Sequence, residues 1–302
     1  AEAVAKAVAE ATAVYDLQFA EPAEDEIPPS VMENTAFAAP YEAVTEMYSR
    51  PKIGSLDPSF MMAPWHFIFF GMMLSDAGYG LVLTILLFIV LKVLKPEGGA
   101  GKLVTVIFLG SISTIFWGAM FGGWFGLEFN PILLSPMNEP LKMLALCFGL
   151  GAAHIILGVC MKMYLEIKRG QIWNAIFDQL SWLVIFAGLG LIGFMPDTQV
   201  GKYLALSGMT VIILTGGRDK KNILRRLLGG VLSLYNFSGY FSDLLSYSRL
   251  FALGLSTGVI AMVINTIAYM LWQAGPVGMV IAIVFLLAGH TFNIAVNIMG
   301  AF

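Results

Sequence analysis

Arg249 stands in an apolar run from Tyr240 to Trp272, with Asp243 the nearest carboxylate and no other lysine or arginine from Leu227 to Phe302. A guanidinium stays charged at any cellular pH. Holding one near a bilayer centre costs roughly 3 kcal/mol on insertion scales and on the order of 10 or more in simulations. A chain that carries this cost uses the charge, which makes Arg249 a candidate functional residue. The alternative is a structural arginine that caps carbonyls or pairs with Asp243. At helical spacing, Gly239, Ser242, Ser246, Arg249, Leu253 and Ser256 share one small, partly hydroxylic face. Gly254 and Gly258 add a second small stripe. Such stripes either let another helix approach closely or leave the guanidinium open to a partner. On the last apolar segment His290, Asn293 and Asn297 form a ladder at three- and four-residue spacing. A ladder of this kind is interhelical hydrogen-bond glue or the lining of a hydrated path.

The other polar groups inside apolar segments are Asp76, His154, Glu166, Asp178 and Gln179. Asp76 falls in a turn-capable stretch and reads as a turn or headgroup-level residue. His154 and Glu166 are twelve apart, more than three helical turns, and cannot share one metal directly. The chain has no HExxH, no Cys/His cluster, no nucleophile elbow and no phosphate-cradling loop. Gly149-Leu-Gly151 and Gly188-Leu-Gly190 lie inside apolar segments, where glycine serves packing. Cys147 and Cys160 have no metal-ligand spacing and read as packing residues. No cofactor, metal or nucleotide chemistry is expected.

These groups need elements to position them, and composition names the kind. The 302 residues are 58% hydrophobic and 12% charged, against about 25% charged in soluble domains. Long apolar runs, in place of alternating ten-residue segments, predict an all-α, polytopic membrane helix bundle and not a barrel. A net charge of −3 offers no basic footprint for nucleic acid.

Residues 1–20 read as the helical tail of a cytoplasmic domain. Residues 21–60 read as an acidic, proline-bearing linker (Glu21 to Pro29) and an extended or looped membrane-surface segment with Pro40, Pro51 and Pro58. The chain shows no signal peptide, and its start at Ala1 is expected of a processed or excised fragment. Residues 61–302 form the transmembrane part. The 35-residue apolar block from Phe60 is too long for one span of about 20 residues, and Ser75-Asp-Ala-Gly-Tyr-Gly80 divides it into a hairpin of two short spans, about 61–76 and 78–94. Further spans are expected at about 103–127, 141–164, 177–195, 201–216, 232–272 and from Pro276 to Phe302, eight in all. Lys92/Lys95/Lys102, Lys162/Lys168/Arg169 and Arg218 to Arg226 fall in alternate loops. The positive-inside rule makes those loops cytoplasmic, and the hairpin puts the N-terminus on the same side. A helix over 232–272 covers about 60 Å, twice the hydrocarbon core of about 30 Å, so it is tilted or begins along the interface.

Ser246-Tyr-Ser-Arg-Leu-Phe-Ala-Leu-Gly-Leu-Ser256 closely resembles the arginine-bearing helix of the V/A-type rotary ATPase membrane stator, called subunit I in prokaryotes and subunit a in eukaryotes. Pro40-Tyr-Glu-Ala-Val-Thr-Glu-Met-Tyr48 through Asp57-Pro58, Phe69 to Gly80, and Gly289-His-Thr-Phe-Asn293 through Gly300-Ala-Phe302 resemble the same family. The resemblance covers about residue 28 to the end. It implies eight spans, a large cytoplasmic arm of which residues 1–20 are the tail, and a second arginine a few residues beyond Phe302, so that the last span is truncated here.

The resemblance further implies a non-catalytic, ion-translocating subunit in a prokaryotic plasma membrane. Its last two spans, long and tilted, would lie against a rotating proteolipid c/K ring whose subunits carry buried ion-binding carboxylates. Two offset half-channels would pass H+ or Na+, coupled to ATP hydrolysis or synthesis by the soluble ATPase subunits and held by a peripheral stalk. Arg249 would face the ring between the half-channels. Their candidate lining is His154, Glu166, Asp178, Gln179, Asp243, Ser246, Ser256, His290, Asn293 and Asn297. The physics agrees: a carboxylate buried in apolar surroundings can have a pKa of about 8–9. A guanidinium within about 4 Å at an effective dielectric near 20 contributes roughly 4 kcal/mol, or about three pKa units, which releases the ion near neutral pH.

Two rival readings stand beside this one. A secondary transporter would use Arg249 to bind an anion at the midplane, and such folds show inverted repeats and broken helices. No repeat relates the two halves, and the penultimate helix reads as continuous. A structural membrane anchor would use Arg249 for packing alone.

Overall fold

A computed structural model describes residues 2–12, 14–18, 31–51, 55–195, 197–218, 220 and 222–302. Helix α1 covers Glu2–Ala11. The expected helix to residue 20 is shorter: Thr12 hydrogen-bonds through its hydroxyl to the Val14 carbonyl, a local bond that competes with helix continuation. The acidic stretch 21–29 lies outside the described residues.

The membrane-surface segment, expected to be extended or looped, is irregular at both ends and carries a short helix between them. Ala39–Tyr41 make a 3-10 turn that runs into α2 (Glu42–Tyr48). Ala38 and Tyr41 bury against Ala63 and Val106, and this apolar contact overrides the local prolines. The buried Glu42 carboxylate accepts from Lys102 Nζ at 2.6 Å and Asn34 Nδ2 at 2.9 Å. Asn34 Nδ2 also reaches Asp57 Oδ2 at 2.5 Å. Burial pushes the Glu42 pKa up, but these donors outweigh it and hold the group below its ordinary value.

Asp57 caps α3 (Pro58–Leu74), accepting from the Ser59 amide, with Pro58 at the first helical position. The helix stops where Ser75 takes a left-handed φ of 45°. Asp76 then caps α4 (Ala77–Val93) through the Tyr79 amide, so the hairpin forms where expected. Next comes α5 (Gly98–Phe121), which lies close on α4: a methyl group at Gly118 would sit 2.1 Å from the Ala77 nitrogen. It ends six residues before the expected 127, because Gly122 adopts φ 76° and closes the helix. A small hairpin follows, β1 (Gly123–Trp124) and β2 (Leu127–Glu128), with Trp124 opposite Leu127. Phe125 and Gly126, at φ 51° and 72°, make its two-residue turn.

Helix α6 (Pro140–Lys168) leads to α7 (Ile172–Asn174), a π-helical turn (Ala175–Leu180) and α8 (Ser181–Phe194). Then α9 (Val200–Thr215) packs on α8, with Gly188 facing Ala205 and Gly201. The last part is α10 (Ile223–Leu234), α11 (Asn236–Ser246), α12 (Ser248–Trp272) and α13 (Pro276–Ala301). The first three form one 49-residue helix, Leu224–Trp272, tightened at Tyr235 and Tyr247, whose amides bond three residues back.

The molecule is an all-α bundle apart from the two-residue strands. Phe69, Met72, Phe121, Met143, Cys147 and Leu250 pack α3, α5, α6 and α12 together. Val159, Trp182, Ile185 and Ile212 join α6, α8 and α9. Among the described residues, five helices are long and apolar enough to cross a membrane: Gly98–Phe121, Pro140–Lys168, Ile172–Gly193, Leu224–Trp272 and Pro276–Ala301. The apolar helices α3, α4 and α9 have 17, 17 and 16 residues. These three stand at the remaining expected spans, so length alone accounts for five of the eight.

Candidate functional site

Arg249 projects from the first turn of α12, two residues after the tightened turn at Tyr247. Its side chain is exposed and forms no ion pair or hydrogen bond among the described residues. It lines an open cleft of about 460 Å³ with Asp243, Ser246, Tyr247, Leu250 and Phe302. Asp243 and Ser246 are exposed at the cleft, and the Ser246 hydroxyl bonds back to the Ser242 carbonyl at 3.0 Å. Ser256 is half-buried and donates to its own Leu253 carbonyl at 2.9 Å, away from the cleft. His154 approaches from α6. Its Nδ1 is 2.7 Å from the Tyr247 hydroxyl, and its ring stacks on Trp65 at 4.8 Å.

Glu166, Asp178 and Gln179 collect elsewhere, in a polar cavity of about 280 Å³ shared with Lys162, Ser233 and Tyr240. The π-helical turn inserts one residue per turn relative to an α-helix, which re-aims successive side chains. Here it turns Asp178 and Gln179, adjacent in sequence, to one cavity. Arg218 clasps both oxygens of Asp178, at 3.0 and 2.6 Å, and reaches Asn174 Oδ1 at 2.5 Å. Glu166 Oε2 and Gln179 Oε1 are buried at the cavity with no hydrogen-bond partner among the described residues. Two acceptors left in this state hold desolvation free energy that a proton donor or a cation would recover.

The third group is a hydrogen-bonded chain across α4, α12 and α13. Asn265 Nδ2 donates to the Phe125 carbonyl at 2.7 Å, so its Oδ1, 3.1 Å from His290 Nε2, must accept. A neutral His290 then presents Nδ1 as acceptor to the Tyr79 hydroxyl at 2.7 Å. The Tyr79 oxygen accepts from Asn293 Nδ2 at 3.0 Å, Asn297 Nδ2 donates to Asn293 Oδ1 at 2.7 Å, and Thr257 donates to Asn297 Oδ1 at 2.8 Å. One carbonyl thus fixes the direction of the whole chain.

Asp76, expected to be a turn or headgroup-level residue, sits at the α3–α4 turn as the N-cap of α4. It is 1% exposed and accepts three backbone amides: Tyr79 at 3.0 Å, Phe125 at 2.9 Å and Gly126 at 3.0 Å. The carboxylate thereby fastens the β-hairpin, with its positive φ at Phe125, to the α3–α4 turn.

The ten candidates thus divide among the cleft, the cavity and the chain, with Ser256 apart. Sequence reasoning missed Tyr79, Tyr247, Thr257 and Asn265 and left Arg218 as a loop charge. Tyr79 and Tyr247 lie inside the stretches singled out, but helical spacing on one element does not disclose a partner on another.

Fold and sites together define a polytopic helical membrane protein with an exposed arginine, unpaired among the described residues, and polar groups gathered between its helices. No family model matches the chain. It is 32% identical over 315 residues to A-type ATP synthase subunit I of Methanocaldococcus jannaschii, covering 91% of this chain and 45% of that protein. The Pyrococcus horikoshii A-type subunit I is 33% identical over 301 residues, covering 95% and 45%. V-type ATP synthase subunit I of Borreliella burgdorferi is 29% identical over 314 residues, covering 94% and 51%. The chain is homologous to subunit I of the A- and V-type ATP synthases, and it spans about half the length of the curated relatives it matches.

Proposed function

We infer that the chain is the membrane stator part of an A/V-type rotary ATPase and passes H+ or Na+ against a proteolipid ring. The observation that carries this reading is Arg249 on an open cleft, exposed and without a carboxylate partner among the described residues. A passing ring carboxylate meets the guanidinium there, gives up its ion, and reloads beyond it. A charge that cannot be neutralised also bars a cation from crossing directly between the two access paths. The cavity of Glu166, Asp178 and Gln179 serves as the path from the side of the basic loops. The chain from Asp76 and Tyr79 to Asn297 lies along the other. All eight apolar helices cross the membrane in this arrangement, with the N-terminus cytoplasmic. The peripheral stalk and the soluble ATPase subunits complete the machine. A secondary transporter is disfavoured because its arginine would face an enclosed midplane site.

The test uses the intact complex. Arg249→Lys should abolish ATP-driven ion uptake into vesicles while the complex still assembles, because a buried ammonium can lose its proton and arginine cannot. Uptake near the unmodified rate sinks the reading.

A further inference from the structure

Helix α10 is amphipathic with its apolar side outward. The side bearing Gly229, Gly230 and Ser233 packs on the end of α9, where a methyl group at Gly230 would sit 2.0 Å from the Ile213 carbonyl oxygen. Arg226 Nε donates to the Leu214 carbonyl at 3.2 Å on the same side. Leu224, Leu227, Leu228, Val231 and Leu232 are left pointing away from the protein, each 40–67% exposed.

Length decides where this face lies. Helix tilts reach about 40°, and at that tilt a straight helix spends about 26 residues in a hydrocarbon core of roughly 30 Å. Helix α12 alone supplies 25 residues. The 49-residue helix therefore carries α10 out of the hydrocarbon, yet with a leucine-rich face that water does not favour. The charge around it is one-sided: residues 218–226 hold five lysines and arginines and one aspartate. The Arg218 bonds to Asn174 and Asp178 bring the α6–α7 turn to the same end, adding the exposed Lys168, Arg169 and Trp173. Apolar leucines, flanking arginines and a tryptophan are the combination that seats a helix at a membrane interface.

We propose that α10 lies in the headgroup layer with its leucines in the acyl boundary, and that Arg225 and Arg226 bind the phosphates of anionic phospholipids. The surface anchors the start of the arginine-bearing helix to the leaflet. This holds whether or not the chain works against a ring. Each arginine beside an anionic surface contributes about fivefold in binding, so the pair enriches anionic lipid locally by up to about thirtyfold.

The test places a fluorophore on Leu232→Cys in a Cys147→Ala/Cys160→Ala background of the full-length protein in nanodiscs. Quenching is titrated with acyl-chain nitroxide phosphatidylglycerol or phosphatidylcholine. Phosphatidylglycerol should quench at a severalfold lower fraction, and the difference should shrink in high salt. Arg225→Gln/Arg226→Gln should remove the preference, while Arg225→Lys/Arg226→Lys retains it and reports an intact fold. Equal quenching by both lipids, no quenching by either, or an unchanged preference in the glutamine variant overturns the proposal.

Discussion

The Tyr247 hydroxyl lies 2.7 Å from His154 Nδ1, so α6 is fastened to the long helix at the tightened turn just ahead of Arg249. The bond ties the direction of the guanidinium to a second helix. Phe69 completes the contact, with its ring 5.5 Å from both Tyr247 and His154. Tyr247→Phe keeps these ring contacts and deletes one hydrogen bond, a change of about 1 kcal/mol in stability. ATP-driven ion uptake should fall severalfold while the yield of assembled complex is unchanged. Unaltered uptake would remove Tyr247 from the site.

Asn265 sets the tautomer of His290, because its amide donor is committed to the Phe125 carbonyl. Asn265→Leu removes the hydrogen bonds to that carbonyl and to His290 Nε2, at about 1 kcal/mol for each. Nitrogen chemical shifts of labelled histidine should report His290 with its proton on Nε2 in the unmodified protein. They should report a different or mixed tautomer in the variant, and an unchanged spectrum contradicts the assignment.

Asp76→Asn replaces an oxygen that accepts a backbone amide with a donor that opposes one. Hydrogen bonds to a charged acceptor contribute about 1.5–3 kcal/mol each, so the variant should unfold several degrees lower in scanning fluorimetry. The 123–128 hairpin should become open to protease. A melting temperature equal to the unmodified protein would mean that Asp76 is not the anchor.

Gln179→Leu separates a transport role from a packing role. Its Oε1 is buried without a partner among the described residues, so an apolar replacement should leave stability equal or higher. Transport should nevertheless fall if the cavity passes ions. Full transport with raised stability would make Gln179 a packing residue only.

The strap from Lys102 to Glu42 predicts a pH dependence. The folded Glu42 pKa is lowered from its ordinary value: burial raises it, and the Lys102 and Asn34 donors lower it further than that. A depressed carboxylate adds stability above its unfolded pKa of about 4.3 and loses it as pH falls through the folded value. The melting temperature should therefore drop between about pH 5 and pH 3. Glu42→Gln should be less stable by about 1 kcal/mol at pH 7, with the gap closing under acid. A constant gap would place the effect elsewhere.

Apolar run lengths were enough to determine a helical membrane bundle, because a segment that must satisfy its own backbone in lipid has to be long, apolar and helical. Ser75 to Gly80 marked the α3–α4 turn for a similarly local reason, since a left-handed residue and a capping carboxylate act on adjacent amides. Arg249 was legible because one charge among leucines needs no partner to be noticed. What shape Arg249 faces, and which polar groups meet, depended on the tertiary structure. Tyr79 and His290 stand 211 residues apart, His154 and Tyr247 93, and Asp178 and Arg218 40. Helical spacing reports neighbours on one helix only. Contacts between helices depend on which faces pack and at what height, and there the tight glycine contacts of α4 with α5 and of α8 with α9 set the approach.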